Sequence, residues 1–214
     1  ANVPASRIVV TTGSSAGFLL SFLSAFSPSD TIAVASSGYP CYRNVALSLG
    51  LCVVEIPISD NYKVTSTELR QTIATRASSN LPPINGLIMS SPSNPTGAML
   101  TAPELSGVVS ACKENSIRFL SDEIYHGIVY PPTTAEHTAA ALSDDVIVIN
   151  SFSKYYSMSG WRLGWMVVPP DLLPSINALQ QNLFINAPTI SQRCAMECWT
   201  DETDAILKQN VREY

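Results

Sequence analysis

Charge is scarce in this sequence, and what there is does not cluster. Of 214 residues, 14% are Asp, Glu, Lys or Arg, the net charge is -5, and only four lysines (Lys63, Lys113, Lys154, Lys208) and two histidines occur. With no run of Lys or Arg, the electrostatic footprint of a nucleic-acid-binding protein is missing. No apolar run approaches the ~20 residues of a membrane span, and the opening residues 1–4 do not resemble a signal peptide. The five cysteines (Cys41, Cys52, Cys112, Cys194, Cys198) show no metal-ligand spacing. An odd number of scattered thiols points to reduced, mostly buried side chains and a cytoplasmic setting. The remaining partners are small molecules or further copies of the chain. At 46% hydrophobic the sequence supports one well-buried domain. It starts abruptly before a strand-like run and stops at Tyr214 inside helix-like residues, so we expect a piece of a longer protein.

Along the chain, strand and helix signals alternate. Residues 7–12 are a β-branched strand, and the small residues 13–17 turn it into an apolar helix over 18–26. A strand at 31–36 precedes a helix at 43–49, and a strand at 51–58 carries Glu55 and Pro57, which suit a sheet edge. Thr65-x-x-Glu68 and Thr101-x-x-Glu104 are capping boxes that open helices to about 77 and 114. Further strands are expected at 84–90, 117–121, 146–150 and 161–168. Asp171 is expected to cap a helix, and helical character continues over 181–196 around Pro188. There is no internal repeat. This alternation predicts a single α/β domain over 1–214, a three-layer α/β/α stack on a mostly parallel sheet with right-handed crossovers.

Four places where a strand should end carry chemistry. Gly13-Ser14-Ser15-Ala16-Gly17 joins a strand to a helix N-terminus, whose free N–H groups suit an anion, with the Ser14 and Ser15 hydroxyls as added donors. The same segment also reads as an ordinary turn, and it lacks the dinucleotide spacing Gly-x-Gly-x-x-Gly. Tyr39, held extended by Pro40, can stack on a planar ring or pack in the core. Asn94 sits between prolines in Pro92-x-Asn94-Pro95-Thr96-Gly97, either a ligand amide at a strand's carboxyl end or plain turn material. Asp122 and Tyr125 follow an apolar strand; the carboxylate suits a protonated ring nitrogen, or a helix N-cap. Glu123 reads as structural, and His126 and His137 have no assignable role.

The fourth place organises the rest. Ser151-x-Ser153-Lys154 follows the apolar residues 146–150, and Arg162 lies eight residues beyond the lysine. A lysine amine forms a Schiff base with an aldehyde once desolvation or a nearby cation lowers its pKa, and hydroxyls with an arginine suit a phosphate. A solvated turn with an incidental lysine is the plainer alternative.

Ser151-x-Ser153-Lys154 with Ser159-Gly160-Trp161-Arg162-Leu163-Gly164 closely resembles the cofactor-lysine segment of fold-type I, pyridoxal-phosphate-dependent aminotransferases of class I and II. Asn94-Pro95-Thr96-Gly97 and Asp122-Glu123-x-Tyr125 match that family in order and spacing. The resemblance spans nearly the whole chain and corresponds to the family's large domain, without its N-terminal arm and C-terminal small domain. It implies pyridoxal 5'-phosphate as cofactor and Lys154 as the catalytic lysine. Ser14, Ser15, Ser151 and Arg162 would then lie on the phosphate, with Ala16 as a backbone donor. Tyr39 would stack on the ring, Asp122 would pair with its nitrogen, and Asn94 and Tyr125 would share its phenolic oxygen. It further implies transamination between an amino acid and a 2-oxo acid, and a homodimer. Elimination chemistry on the same scaffold (a C-S lyase), or a ligand-sensing domain of a transcription regulator, are the alternatives. The family's clamp for the substrate carboxylate lies beyond Tyr214, so little or no turnover is expected of this piece alone.

Overall fold

A computed structural model describes residues 2–130 and 135–213; Tyr214, named above, lies outside the described residues. Seven strands form one sheet: β1 (Ile8–Thr11), β2 (Thr31–Ala35), β3 (Cys52–Ile56), β4 (Gly86–Ser90), β5 (Arg118–Asp122), β6 (Ile147–Ser151) and β7 (Gly164–Val167). Their spatial order is β1-β7-β6-β5-β4-β2-β3. The pairs from β6 through β5, β4 and β2 to β3 are parallel, whereas β7 runs antiparallel to both its neighbours, β1 and β6. The sheet is thus mostly parallel, as the alternation predicted. β7 reverses because a loop, not a crossover helix, connects it to β6, so it starts at the rim where β6 ends. β3 occupies an edge, where Glu55 tolerates water.

The described residues form seven α-helices: α1 (Gly13–Ala25), α2 (Pro40–Ser48), α3 (Ser66–Ser78), α4 (Ala102–Glu114), α5 (Leu173–Leu183), α6 (Thr189–Ala195) and α7 (Asp201–Glu213). Side chains alternate across the strands with period two, and each face feeds its own core. Ile32, Val34, Ile88, Leu120, Ile147, Ile149 and Met166 pack with Phe18 and Phe22 of α1, Ala46 of α2 and Ile176 of α5. Their neighbours Ala33, Leu87, Met89, Phe119, Val148 and Val167 face the other way, onto Leu69 of α3 and Leu105 and Val108 of α4. Three layers result. A third, smaller cluster of Phe152, Met158, Leu163, Ala187 and Cys198 supports the loop after β6 from below.

Both capping boxes form, Thr65 with Glu68 and Thr101 with Glu104. Five local expectations are corrected. The small residues 13–17 are not a turn ahead of a helix but its first turn: α1 begins at Gly13. α2 begins three residues earlier than expected, because Pro40 has the fixed φ that suits a first helical position. Residues 161–163 are outside the strand: Ser159–Trp161 is a 3-10 turn, and Arg162 is left-handed at φ 50°. Asp171 does not cap α5, whose N-cap is Leu172; its carboxylate instead accepts from Arg118 at 2.7 Å. Helix also breaks between α5 and α6, where Ile185 adopts φ 63°.

Candidate active site

The sheet register decides what meets at the rim. Thr11 of β1 and Ser151 of β6 both pair with Gly164 of β7, while Ser90 of β4 pairs with Asp122 of β5. Every loop that carried a sequence signal therefore leaves the sheet on one side, at the carboxyl ends of the parallel strands. There they enclose a cavity of about 180 Å³ lined by Ser14, Ser15, Tyr39, Asn94, Asp122, Tyr125, Lys154 and Arg162, together with Phe18, Tyr42, Ile124, Ser153 and Ser159.

One end of the cavity is the N-terminus of α1 against Arg162. The Thr11 hydroxyl donates to the Gly13 carbonyl at 2.9 Å, and Gly13 sits at φ 77°. The N-cap residue Thr12 makes no side-chain cap, so the first N–H groups of α1 face the cavity with the helix dipole behind them. The fit is tight. A Cβ on Gly13 would lie 2.4 Å from Arg162 Nη2, and one on Gly164 would lie 2.8 Å from the Asn150 carbonyl oxygen and 3.0 Å from Ser14 N. Arg162 Nη1 donates to the Ser159 carbonyl at 2.7 Å, leaving its other N–H groups to the cavity. Among the side chains expected at the site, Ser151 stays outside, and Ala16, expected only as a backbone donor, is likewise not part of the lining. Ser151 is buried, and its hydroxyl is engaged with the Leu163 carbonyl at 3.0 Å and the Ser153 side chain at 2.9 Å. Ser153 reaches the cavity in its place, with its own N–H donating to Ser151 Oγ at 3.1 Å.

The other end is built from buried side chains. Asp122 is 3% exposed; its Oδ1 accepts from Ile124 N at 3.1 Å and its Oδ2 from the Tyr42 hydroxyl at 2.5 Å. Burial pushes the Asp122 carboxyl up to about 6, opposed by those two donors. Burial also raises the Tyr42 hydroxyl well above its ordinary range, with Asp122 adding to the rise, so Tyr42 remains the donor. Tyr39 stands edge-on to Tyr42, ring centres 5.6 Å apart, and is 41% exposed. Asn94 Nδ2 donates to the Tyr125 hydroxyl at 3.3 Å. Lys154 lines the same cavity, exposed, its Nζ 5.7 Å from the centre of the Tyr125 ring.

Tyr42 was the principal omission of the sequence reading. Its signal was present, since it lies three residues after Tyr39 on a helix opened by Pro40, and so faces the same side. Among the described residues, no group of three or more His, Cys, Asp or Glu side chains could hold a metal, and no helix is long and apolar enough to cross a membrane.

The chain is 42% identical over 212 residues to valine–pyruvate aminotransferase of Mycobacterium tuberculosis, covering 99% of this chain and 53% of that protein. It is 32% identical to (5-formylfuran-3-yl)methyl phosphate transaminase of Methanocaldococcus jannaschii, covering all of this chain and 54% of the relative. The crystal structure of an aminotransferase from Mycobacterium tuberculosis superposes with a TM-score of 0.93 at 41% identity, over 99% of this chain and 53% of that one. The chain thus spans about half the length of the relatives it matches. The family model for aminotransferase class I and II matches residues 2–214, and the chain belongs to that family.

Proposed function

We propose that the protein carrying this chain is a pyridoxal-phosphate-dependent aminotransferase that moves an amino group between an amino acid and a 2-oxo acid. The observation that carries this reading is one lysine that shares a cavity with an anion cup and a buried carboxylate, with no other lysine lining it.

The residues fit the cofactor. Free helical N–H groups, serine hydroxyls and an arginine form a donor set for a phosphate dianion. At the opposite end, a desolvated carboxylate is stabilised by a cation, which a protonated ring nitrogen supplies. When bound, pyridoxal phosphate contributes an aldehyde that condenses with amines and a cationic ring that accepts the electron pair of a broken Cα–H bond.

The chain's own residues then have separate tasks. Ser14, Ser15, the N–H of Ala16, Ser153 and Arg162 hold the phosphate, with Ser151 orienting Ser153. Asp122 keeps a proton on the ring nitrogen, and Tyr42 orients Asp122. Asn94 and Tyr125 donate to the phenolic oxygen, and Tyr39 covers a ring face. Lys154 Nζ, as a free amine, would act as the general base that takes and holds the proton from the substrate α-carbon.

The Mycobacterium relative is named for valine and pyruvate, which makes them the first pair to assay. A homodimer accords with the exposed apolar side chains Ile185, Ile190, Met196 and Trp199, and the cytoplasm accords with five free cysteines. The test is the absorption spectrum with added pyridoxal phosphate, before and after borohydride, in wild type and Lys154→Ala. A visible band fixed by borohydride onto Lys154 and absent from the variant is expected, together with amino-acid-dependent formation of an oxo acid. The absence of any lysine-dependent band in a folded protein would overturn the reading. Release of ammonia in place of amino transfer would assign elimination instead.

A further inference from the structure

His126 and Glu123 play no part in the proposed chemistry, yet they occupy the junction between the two loops that frame the ring end. His126 Nε2 lies 3.1 Å from the carbonyl oxygen of Ser91, at the base of the loop that carries Asn94. Its Nδ1 lies 3.5 Å from Glu123 Oε2. The other carboxylate oxygen, Oε1, accepts from the Ser121 hydroxyl at 3.0 Å and from Ala139 N at 2.9 Å. The Glu123 side chain is 4% exposed and that of His126 20%.

Both ring nitrogens therefore face acceptors. A neutral imidazole has one N–H, which meets Ser91 or Glu123 but not both. One extra proton between Nδ1 and Oε2, 3.5 Å apart, as imidazolium against carboxylate or imidazole against carboxylic acid, satisfies both contacts at once. Burial raises the Glu123 carboxyl, and His126 opposes that rise. Asp122 is the other titratable group that acts on this ring, and Glu136 lies nearby, accepting from Gly127 N at 2.7 Å.

We propose that His126, with a proton held between it and Glu123, is the clamp that keeps the Asn94 loop in register with the Tyr125 turn. Apart from it, the hydrogen bonds between these two segments among the described residues are the 3.3 Å bond from Asn94 to Tyr125 and the bond from Ser91 N to the Asp122 carbonyl, at 3.2 Å. His126 is a positioning residue, and its consequence for cofactor binding rests on the function proposed above.

The test uses the chain without cofactor: imidazole ¹⁵N NMR, and hydrogen exchange of the amides at 93–100 corrected for intrinsic rates. The variants are Glu123→Gln, His126→Gln and His126→Leu; His126→Gln also assigns the spectrum, because His137 is the other histidine. In wild type, rising pH should remove the shared proton, shift the Nδ1 resonance and lower protection of the Asn94 loop about tenfold, the worth of one charge-assisted hydrogen bond. In Glu123→Gln the amide N–H donates to Nδ1, so the Nδ1 shift disappears and protection stays high at every pH. His126→Gln, which still donates to Ser91, should keep the loop protected, and His126→Leu should leave it exposed throughout. An Nδ1 titration identical in wild type and Glu123→Gln, or full protection in His126→Leu, would overturn the clamp. If His126→Leu does not fold, the wild-type and Glu123→Gln pair still decides. None of these readouts involves pyridoxal phosphate, so a chain that fails to bind it would still reveal the clamp. Where it does bind, His126→Leu should weaken binding about tenfold and His126→Gln restore it.

Discussion

At the α1 end of the cavity, the groups that face a ligand are backbone N–H donors, short hydroxyls and an exposed arginine; at the Asp122 end they are side chains locked to one another beneath the surface. The first end owes its shape to backbone conformation: Gly13 and Arg162 both have positive φ, and neither Gly13 nor Gly164 has room for a methyl group. The second owes its shape to a buried carboxylate whose charge is balanced by hydrogen bonds. An anion site can be left open to water because helix N–H groups retain their direction without a partner, whereas a lone carboxylate retains its position only when donors hold it.

Lys154 belongs to neither end, and its loss should have the largest effect. Lys154→Ala should lower amino transfer by roughly 10²- to 10⁴-fold, the range for a removed acid–base group, while phosphate-dependent binding of the cofactor persists. Steady-state turnover and equilibrium dialysis separate these outcomes; loss of both would mean that the two ends are not independent.

Next is the pH dependence of Asp122. Its carboxyl rises from 3.8 to about 6 on folding, so the folded chain binds more protons than the unfolded chain between those values. Stability from this group is complete below pH 3.8 and is lost as pH rises through 6. About two pKa units correspond to about 3 kcal/mol. Urea unfolding of the cofactor-free chain from pH 4 to 7 should show this decline, and Asp122→Asn should flatten it. An unchanged slope in the variant would place the titration elsewhere.

Gly164→Ala attacks the other end through the backbone. Its methyl group would press on Asn150, Gly13 and Ser14 main-chain atoms that cannot rotate away, costing about 1–3 kcal/mol of stability. Calorimetry should register the loss, accompanied by weaker binding of pyridoxal phosphate. The smallest effect is expected for Ser153→Ala. Removing one hydroxyl from the cup should cost about 0.5–1.5 kcal/mol of phosphate affinity, with the pH slope of unfolding unchanged. A stronger effect from Ser151→Ala than from Ser153→Ala in direct phosphate binding would reverse the order that burial assigns to the two serines.

Much of the frame was legible because local rules act over a few residues. The capping boxes at Thr65 and Thr101 and the β-branched strands needed no distant partner to be read. Asp171 was misread for the opposite reason: an aspartate after a strand suits a cap, but Arg118, 53 positions away, lies within reach and takes the carboxylate. Residues 161–163 were misread as strand because apolar content does not reveal that Arg162 must turn left-handed to bring its guanidinium against Gly13.

The sequence by itself determined the alternation of strands and helices and which residues stand at strand ends, since hydrophobic periodicity, capping and turn chemistry are encoded within short windows. Only the tertiary structure decided that β7 reverses between β1 and β6, that Ser153 rather than Ser151 reaches the cavity, and that Tyr42 holds Asp122. Those outcomes depend on strand order and register, which are fixed by packing between segments as far apart as Ile8 and Val167, and no window of sequence contains both partners.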